Sequence, residues 1–235
     1  MPIKLSTLGI PELKPGKHNI KDPRLDGAHA LVEADKKTYA QVDVVGEEGA
    51  ADADALVVTP ETRADLILQD LEFIETRLGR NPPDAEKVVL LKMQKLLEGE
   101  QFLFNSGLSA EELGAVAAHS FATNKPVIVA ETDERAEPEK LILRAFQGSG
   151  YICFLTVGGK ENRAWPIRKG TTAWEAAGSI HTDLQKGFIR AEIIGYDDFI
   201  AAGGETQAKR ANKLRLETKT YVMQDYDLVN FRFSK

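Results

Sequence analysis

Apolar residues recur at three-four spacing between residues 60 and 78, with Ile67, Leu71, Ile74 and Leu78 on one face, a period that predicts an amphipathic helix. Thr59-Pro60 marks its start, because a threonine hydroxyl caps free amides and a proline presets the first turn; Gly79 and Pro82-Pro83 stop it. A second helix over 84–97 is expected to fold back on the first as a hairpin arm. Shorter apolar runs at 4–10, 41–45 and 55–59 read as strands, with a helix over 22–34 between the first two. Ser109 and Glu112 form a capping-box pattern that opens a helix to about Ser120, ahead of a buried strand at 126–130. The charged stretch 131–140, which contains Pro138, reads as an exposed connection. Beyond Tyr151, strands alternate with helices expected around 172–180 and 205–216.

Composition changes this picture little. The 235 residues, 43% hydrophobic and 28% charged, allow one large or two modest globular domains. The net charge of −6 is divided unevenly: from Gly148 onward there are 13 Lys+Arg against 10 Asp+Glu, a net +3, leaving −9 before it. A mildly basic C-terminal part is compatible with a nucleic-acid partner and equally with a mixed solvated surface. One cysteine, Cys153, excludes an internal disulfide, and its neighbours Ile152 and Phe154 place it in a strand core. No apolar run reaches signal-peptide or membrane-spanning length, so a cytoplasmic protein with no membrane partner is expected.

Five segments carry further information: RAW at 163–165, AAGSIHTD at 176–183, KGFIRAE at 186–192, YDDF at 196–199 and FRF at 231–233. In order across about 85 residues, they closely resemble the C-terminal TGS domain of the YchF, or OBG-like, family of P-loop ATPases and GTPases. Upstream, DPRLD at 22–26, QVDVVG at 41–46, LSAEE at 108–112 and KPVIVA at 125–130 keep the family's order. The resemblance implies a shortened member of that family, with length missing after the phosphate loop, after Asp-x-x-Gly and between Glu134 and Tyr151. The expected fold is an α/β remnant of a P-loop (Rossmann-like) domain at 1–60 and 122–147, a helical arm at 61–121, and an α+β β-grasp (ubiquitin-like) TGS domain at 148–235. A fragment starting near Lys140 is expected to fold by itself.

The phosphate loop of such a domain is degenerate. Backbone amides arranged by glycines at a helix N-terminus surround phosphates, Lys reaches their terminal oxygens, and Ser/Thr binds Mg²⁺. Gly16-Lys17 supplies the closing pair, but Pro11 stands where the first glycine belongs, Pro15 removes an amide and His18 occupies the hydroxyl position. Asp22-Pro23 follows so closely that no useful helix starts at Lys17. Three lost charge-assisted hydrogen bonds remove roughly 5–9 kcal/mol, enough to turn a micromolar site millimolar. The base-recognition pattern keeps Glu134 but carries Glu131 where an asparagine donor is needed, and Asp43 to Gly46 preserves Asp-x-x-Gly. Gly16, Lys17, Asp43, Gly46 and Glu134 are therefore vestigial nucleotide-binding candidates, with no catalytic residue and no metal site. No cofactor is expected; ATP or GTP with Mg²⁺ belongs to the alternative, an enzyme using Lys17, Asp43 and Gly46 in an altered geometry. A nucleotide-sensing TGS module remains a third reading.

Other candidates weigh toward structure. His181 and Asp183 fit a helix end better than acid–base chemistry, His29 and His119 lack a partner at ligand spacing, and Gly158-Gly159 and Gly203-Gly204 read as turns. Trp165 and Trp174 read as core aromatics rather than base-stacking platforms. Lys209, Arg210, Lys213 and Arg215, read on one helix, form a basic face that reads either as a solvated helix surface or as a seat for RNA or the ribosome. The resemblance implies a binding or adaptor role, with a ribosome, RNA or protein partner reached through the TGS domain and the arm.

Overall fold

The computed structural model describes residues 3–234. In chain order the elements are Ile3–Leu8 (β1), Gly16–Asn19 (β2), Pro23–Leu31 (α1), Lys36–Thr38 (β3), Gln41–Val45 (β4), Ala55–Val58 (β5), Pro60–Gly79 (α2), Asp84–Glu98 (α3) and Ala110–Ala115 (α4). Val127–Val129 (β6), Thr132–Arg135 (α5), Pro138–Gly148 (α6), Tyr151–Thr156 (β7), Glu161–Arg168 (β8), Ala173–Ile180 (α7) and Thr182–Lys186 (α8) follow. The chain ends with Phe188–Ile194 (β9), Tyr196–Ala202 (α9), Glu205–Arg210 (α10), Arg215–Glu217 (β10) and Leu228–Phe233 (β11).

Two compact units result. Of the described residues, 3–18 and 42–149 form the first, and 19–41 and 150–234 the second. The first contains a five-stranded sheet in the order β2-β4-β1-β5-β6, and β1 pairs in parallel with both β4 and β5. β5, reading Ala-Leu-Val-Val, is buried at every residue, as a strand covered on both faces must be. Thr59 accepts from the Thr62 amide at 3.2 Å and Pro60 opens α2, so the helix starts where its capping chemistry places it. Asn81, at φ 51°, helps turn the chain into α3, and Ile67, Ile74, Val89, Leu90, Met93 and Leu97 join Leu103, Val116 and Phe121 in the arm's core. Each such side chain, fully buried, contributes roughly 1.5–3 kcal/mol.

The second unit holds a six-stranded mixed sheet in the order β10-β9-β11-β7-β8-β3. β7 and β8 form an antiparallel hairpin, β9 runs antiparallel to β11, and β11 meets β7 in parallel. On one face Phe154, Ile167, Ala191, Ile193, Val229 and Phe231 pack against Ala173, Ala176 and Ala177 of α7, whose Thr172/Glu175 capping box fixes its first turn.

Four sequence expectations change. The segment 19–41, assigned with 1–60 to the first domain, belongs to the second unit: β3 adds a parallel edge strand to β8, and α1, with Leu25 and Ala28 fully buried, packs against β8 and α9. The connection at 131–140 instead holds α5 and the start of α6, whose Leu141, Ile142, Ala145 and Phe146 are buried on one face. The helix opened by Ser109 stops at Ala115, five residues short of Ser120. The helix expected over 205–216 stops at Arg210. Asn212 takes a left-handed φ of 56° and the Lys213 amide closes back on Ala208, a C-terminal motif that asparagine tolerates, which frees Arg215 for β10.

Candidate functional site

The chain where a phosphate loop would lie is anchored by two buried apolar side chains, Ile10 and Leu13, and is otherwise mostly exposed. β1 ends at Leu8, and Gly9 suits the next position twice over: it takes φ +73°, and a Cβ there would come within 3.1 Å of the Thr62 hydroxyl oxygen. Ile10 and Leu13 then turn into the core, 3% and 2% exposed, and the Leu13 amide donates to Ile10 at 3.3 Å. The next element is a strand: Gly16 and Lys17 lie on β2, exposed at the sheet edge, and His18 Nε2 meets the Lys14 carbonyl at 2.7 Å. No helix begins behind Lys17, so the converging amides and the positive helix end that hold a phosphate have no source there.

The other candidates are not gathered around it. Asp43 sits inside β4, in register with Lys4 rather than at the strand's tip. Gly46 precedes a 3₁₀ helix at Glu47–Asp52, and its carbonyl accepts from the Ser6 hydroxyl at 2.9 Å. Glu134 accepts from the Glu131 amide at 3.0 Å and pairs with Arg144 at 2.8 Å. Its carboxylate closes a capping box on α5 instead of facing a base. Among the described residues no group of three or more His, Cys, Asp or Glu is placed to hold a metal ion.

Two clusters in the first unit had no sequence signal because their members lie far apart in the chain. Glu86, 8% exposed, takes Nε and Nη2 of Arg77 at 2.6 and 2.9 Å and meets Nε2 of His119 at 2.8 Å. The Arg77 guanidinium, then His119, hold the Glu86 carboxyl down at about 2. His119 thus has the partner that local spacing did not show. Asp70 and Lys125 border one groove of about 380 Å³. Burial pushes the Asp70 carboxyl up against the pull of its bonds from Thr123 and Ala122, and burial lowers the Lys125 ammonium, which donates to the Ala50 carbonyl at 2.8 Å and to that of Ala51.

In the second unit the four basic candidates are divided among helix, turn and strand. Lys209 on α10 pairs with Glu205 at 2.5 Å, Lys213 with Asp198 at 2.9 Å, and Arg215 on β10 with Asp227 at 3.3 Å. Arg210 has no ion pair among the described residues. The face is therefore largely neutralised from within. His181 accepts the Asp183 amide on its Nδ1 at 3.1 Å and caps α8, the structural role read from sequence. Trp165 packs half-buried against the core with Arg163 over its ring, whereas Trp174 is 42% exposed on α7, contrary to its reading as core.

The DPRLD segment has a well-defined role. Arg24 binds Asp22 at 2.7 Å and Asp225 at 2.8 Å, and its guanidinium lies 3.7 Å from the centre of the Tyr226 ring. Asp225 also accepts the Cys153 amide at 3.1 Å. Burial opposes the Arg24 charge, but the two aspartates outweigh it and raise its pKa; burial pushes both the Cys153 thiol and the Tyr226 phenol up. This polar clasp fastens α1 to β7 and the turn before β11.

With this geometry in view, comparison with known proteins is direct. The family model YchF-GTPase_C, described as a protein of unknown function (DUF933), matches residues 151–234. The protein named ribosome-binding ATPase YchF from Haemophilus influenzae is 32% identical over 236 residues, covering 72% of this chain and 64% of that protein. Its counterpart from Haemophilus ducreyi is 32% identical over 260 residues, covering 84% and 71%. The chain thus spans about two thirds of the length of these relatives. The structure of the Schizosaccharomyces pombe YchF GTPase superposes with a TM-score of 0.76 at 18% identity, over 98% of this chain and 97% of that one, and so shares its fold. The chain belongs to the YchF family.

Proposed function

We propose that this chain is a YchF-family protein that binds the ribosome as an adaptor in the cytoplasm and does not hydrolyse ATP or GTP. One observation carries the reading: Gly16 and Lys17 lie on an edge strand rather than at a helix N-terminus. Phosphate binding in a P-loop depends on amides and a dipole that a strand does not converge. The name ribosome-binding ATPase, borne by the relatives, supports the partner half of the proposal. We further read the second unit as a TGS-type β-grasp, from its antiparallel β7–β8 hairpin, its parallel β7–β11 contact and α7 packed on one face.

Isothermal titration with ATP, GTP and guanosine tetraphosphate, each with and without Mg²⁺, tests the loss of the nucleotide site. The expected result is no Kd tighter than about 0.1 mM. A micromolar Kd that collapses on Lys17→Ala would overturn the proposal in favour of a nucleotide-binding protein with a modified site.

A further inference from the structure

The sheet of the second unit has an unfinished seam. β7 and β11 are central, parallel neighbours, yet they share a single register pair, Leu228 with Leu155, and the Leu155 amide donates to the Asp227 carbonyl at 2.9 Å. β7 ends one residue later, at Thr156, and the chain turns through Gly158 and Gly159 into β8. β11 continues to Phe233 against β9 alone. The next rung of a parallel ladder would join the Val157 amide to the Val229 carbonyl, and among the described residues it is not made. Strand alternation turns the amide and carbonyl of Phe231 toward the same gap, while those of Asn230 and Arg232 face β9.

The gap is hollow. A groove of about 500 Å³ runs along it, walled by Val157, Ile180, Leu184, Phe231 and Phe233, and its one charged wall residue is Glu205. A smaller hollow of about 30 Å³ borders Val157 and Val229 as well. A row of unpaired peptide groups beside apolar walls matches a polypeptide in extended form, which supplies the missing hydrogen bonds through its backbone and alternates its side chains between the two sides. The charge argues against nucleic acid, because a phosphate backbone needs cations and the groove wall presents none; its one charged residue, Glu205, is paired with Lys209.

We propose that the seam between β11 and the β7–β8 turn receives an extended strand of a partner protein, which adds to β11 along Val229–Phe233. The occupying segment alternates apolar residues, set against Ile180, Leu184 and Phe231, with polar ones. Ribosome binding and nucleotide binding are separate questions, and this site stands or falls without them.

Amide hydrogen exchange followed by NMR on the full chain reads the seam directly. In the free protein the Phe231 amide is expected to exchange at least tenfold faster than those of Asn230 and Arg232, although all three lie on one central strand. Equal protection of the three would overturn the proposal. The probe is a heptapeptide of alternating valine and threonine flanked by lysines, compared with the same peptide N-methylated at alternate backbone positions, and with a uridine oligonucleotide. The unmodified peptide is expected to slow Phe231 exchange, and the other two to leave it unchanged. Protection by the oligonucleotide, protection by both peptides alike, or no protection at millimolar peptide would each overturn it. A Leu184→Lys variant that keeps the wild-type melt is expected to lose the peptide effect; retention of the effect would place the peptide elsewhere.

Discussion

Glu86 is the clearest case of a single side chain whose state depends on its neighbours. Its carboxyl, ordinarily near 4.5, is held at about 2 by Arg77 and His119. A depressed folded pKa means that the ionised group contributes stability above pH 4.5, and that this contribution is lost as pH falls from there toward 2. Thermal melts at about pH 6 and about pH 3 should therefore show a smaller acid-induced drop for Glu86→Gln than for the wild type. Parallel drops would mean that the cluster does not couple to folding. A second residue-scale expectation concerns Arg24. Its partner Asp22 has a side chain only 5% exposed, so Arg24→Ala leaves a buried carboxylate without its cation and should cost about 3 kcal/mol. Urea unfolding measures that cost. Thiol labelling gives an independent readout: Cys153, whose amide is held by Asp225, should react faster in the variant.

At the scale of elements, α1 and β3 decide how much of the second unit folds without the rest. β8 would become a bare edge without β3, and the cover provided by Leu25 and Ala28 would be lost. The self-folding expected for a fragment starting near Lys140 therefore changes. Such a fragment should melt without cooperativity, and joining residues 19–41 to it through a glycine-rich linker should restore a sharp transition; a sharp transition for the bare fragment would show that α1 is dispensable. What sequence made legible, and what it did not, divides along the same line. Local chemistry was readable: the Thr59-Pro60 start of α2, the capping boxes at Ser109 and Thr172, and the apolar stripe from Ile67 to Leu78. Allegiance was not, because α1 lies more than a hundred residues from β8 and periodicity carries no information about which sheet a helix covers. β2 and β3 escaped because Gly-Lys-His-Asn and Lys-Lys-Thr have no apolar alternation. The charges around Pro138 disguise the start of α6, although proline suits a first turn and Leu141, Ile142, Ala145 and Phe146 keep a helical period.

For the whole molecule, the ion pairs revise what salt should do to the proposed ribosome association. Four cations read along one helix would suggest several phosphate contacts and a steep fall of affinity with salt. In the structure Lys209, Lys213 and Arg215 are each committed to a carboxylate of the same unit, which leaves Arg210 as the one cation of the four without such a partner among the described residues. Exposed pairs of this kind are weak and exchangeable, but they cancel the long-range field that counterion release requires. If this face meets rRNA, about one phosphate is neutralised, and raising salt from about 50 to about 200 mM should weaken binding only roughly fourfold. Co-sedimentation with ribosomes across that range measures the slope, and variants locate the contact. Arg210→Gln should reduce pelleting more than removal of a whole internal pair, Lys209→Gln with Glu205→Gln, since that pair presents no net charge to a partner. A hundredfold loss over the same salt range would show that the internal pairs open on binding and that all four cations reach phosphate. A flat response, with every variant pelleting like the wild type, would take RNA contact away from this face and leave the ribosome to be met through protein.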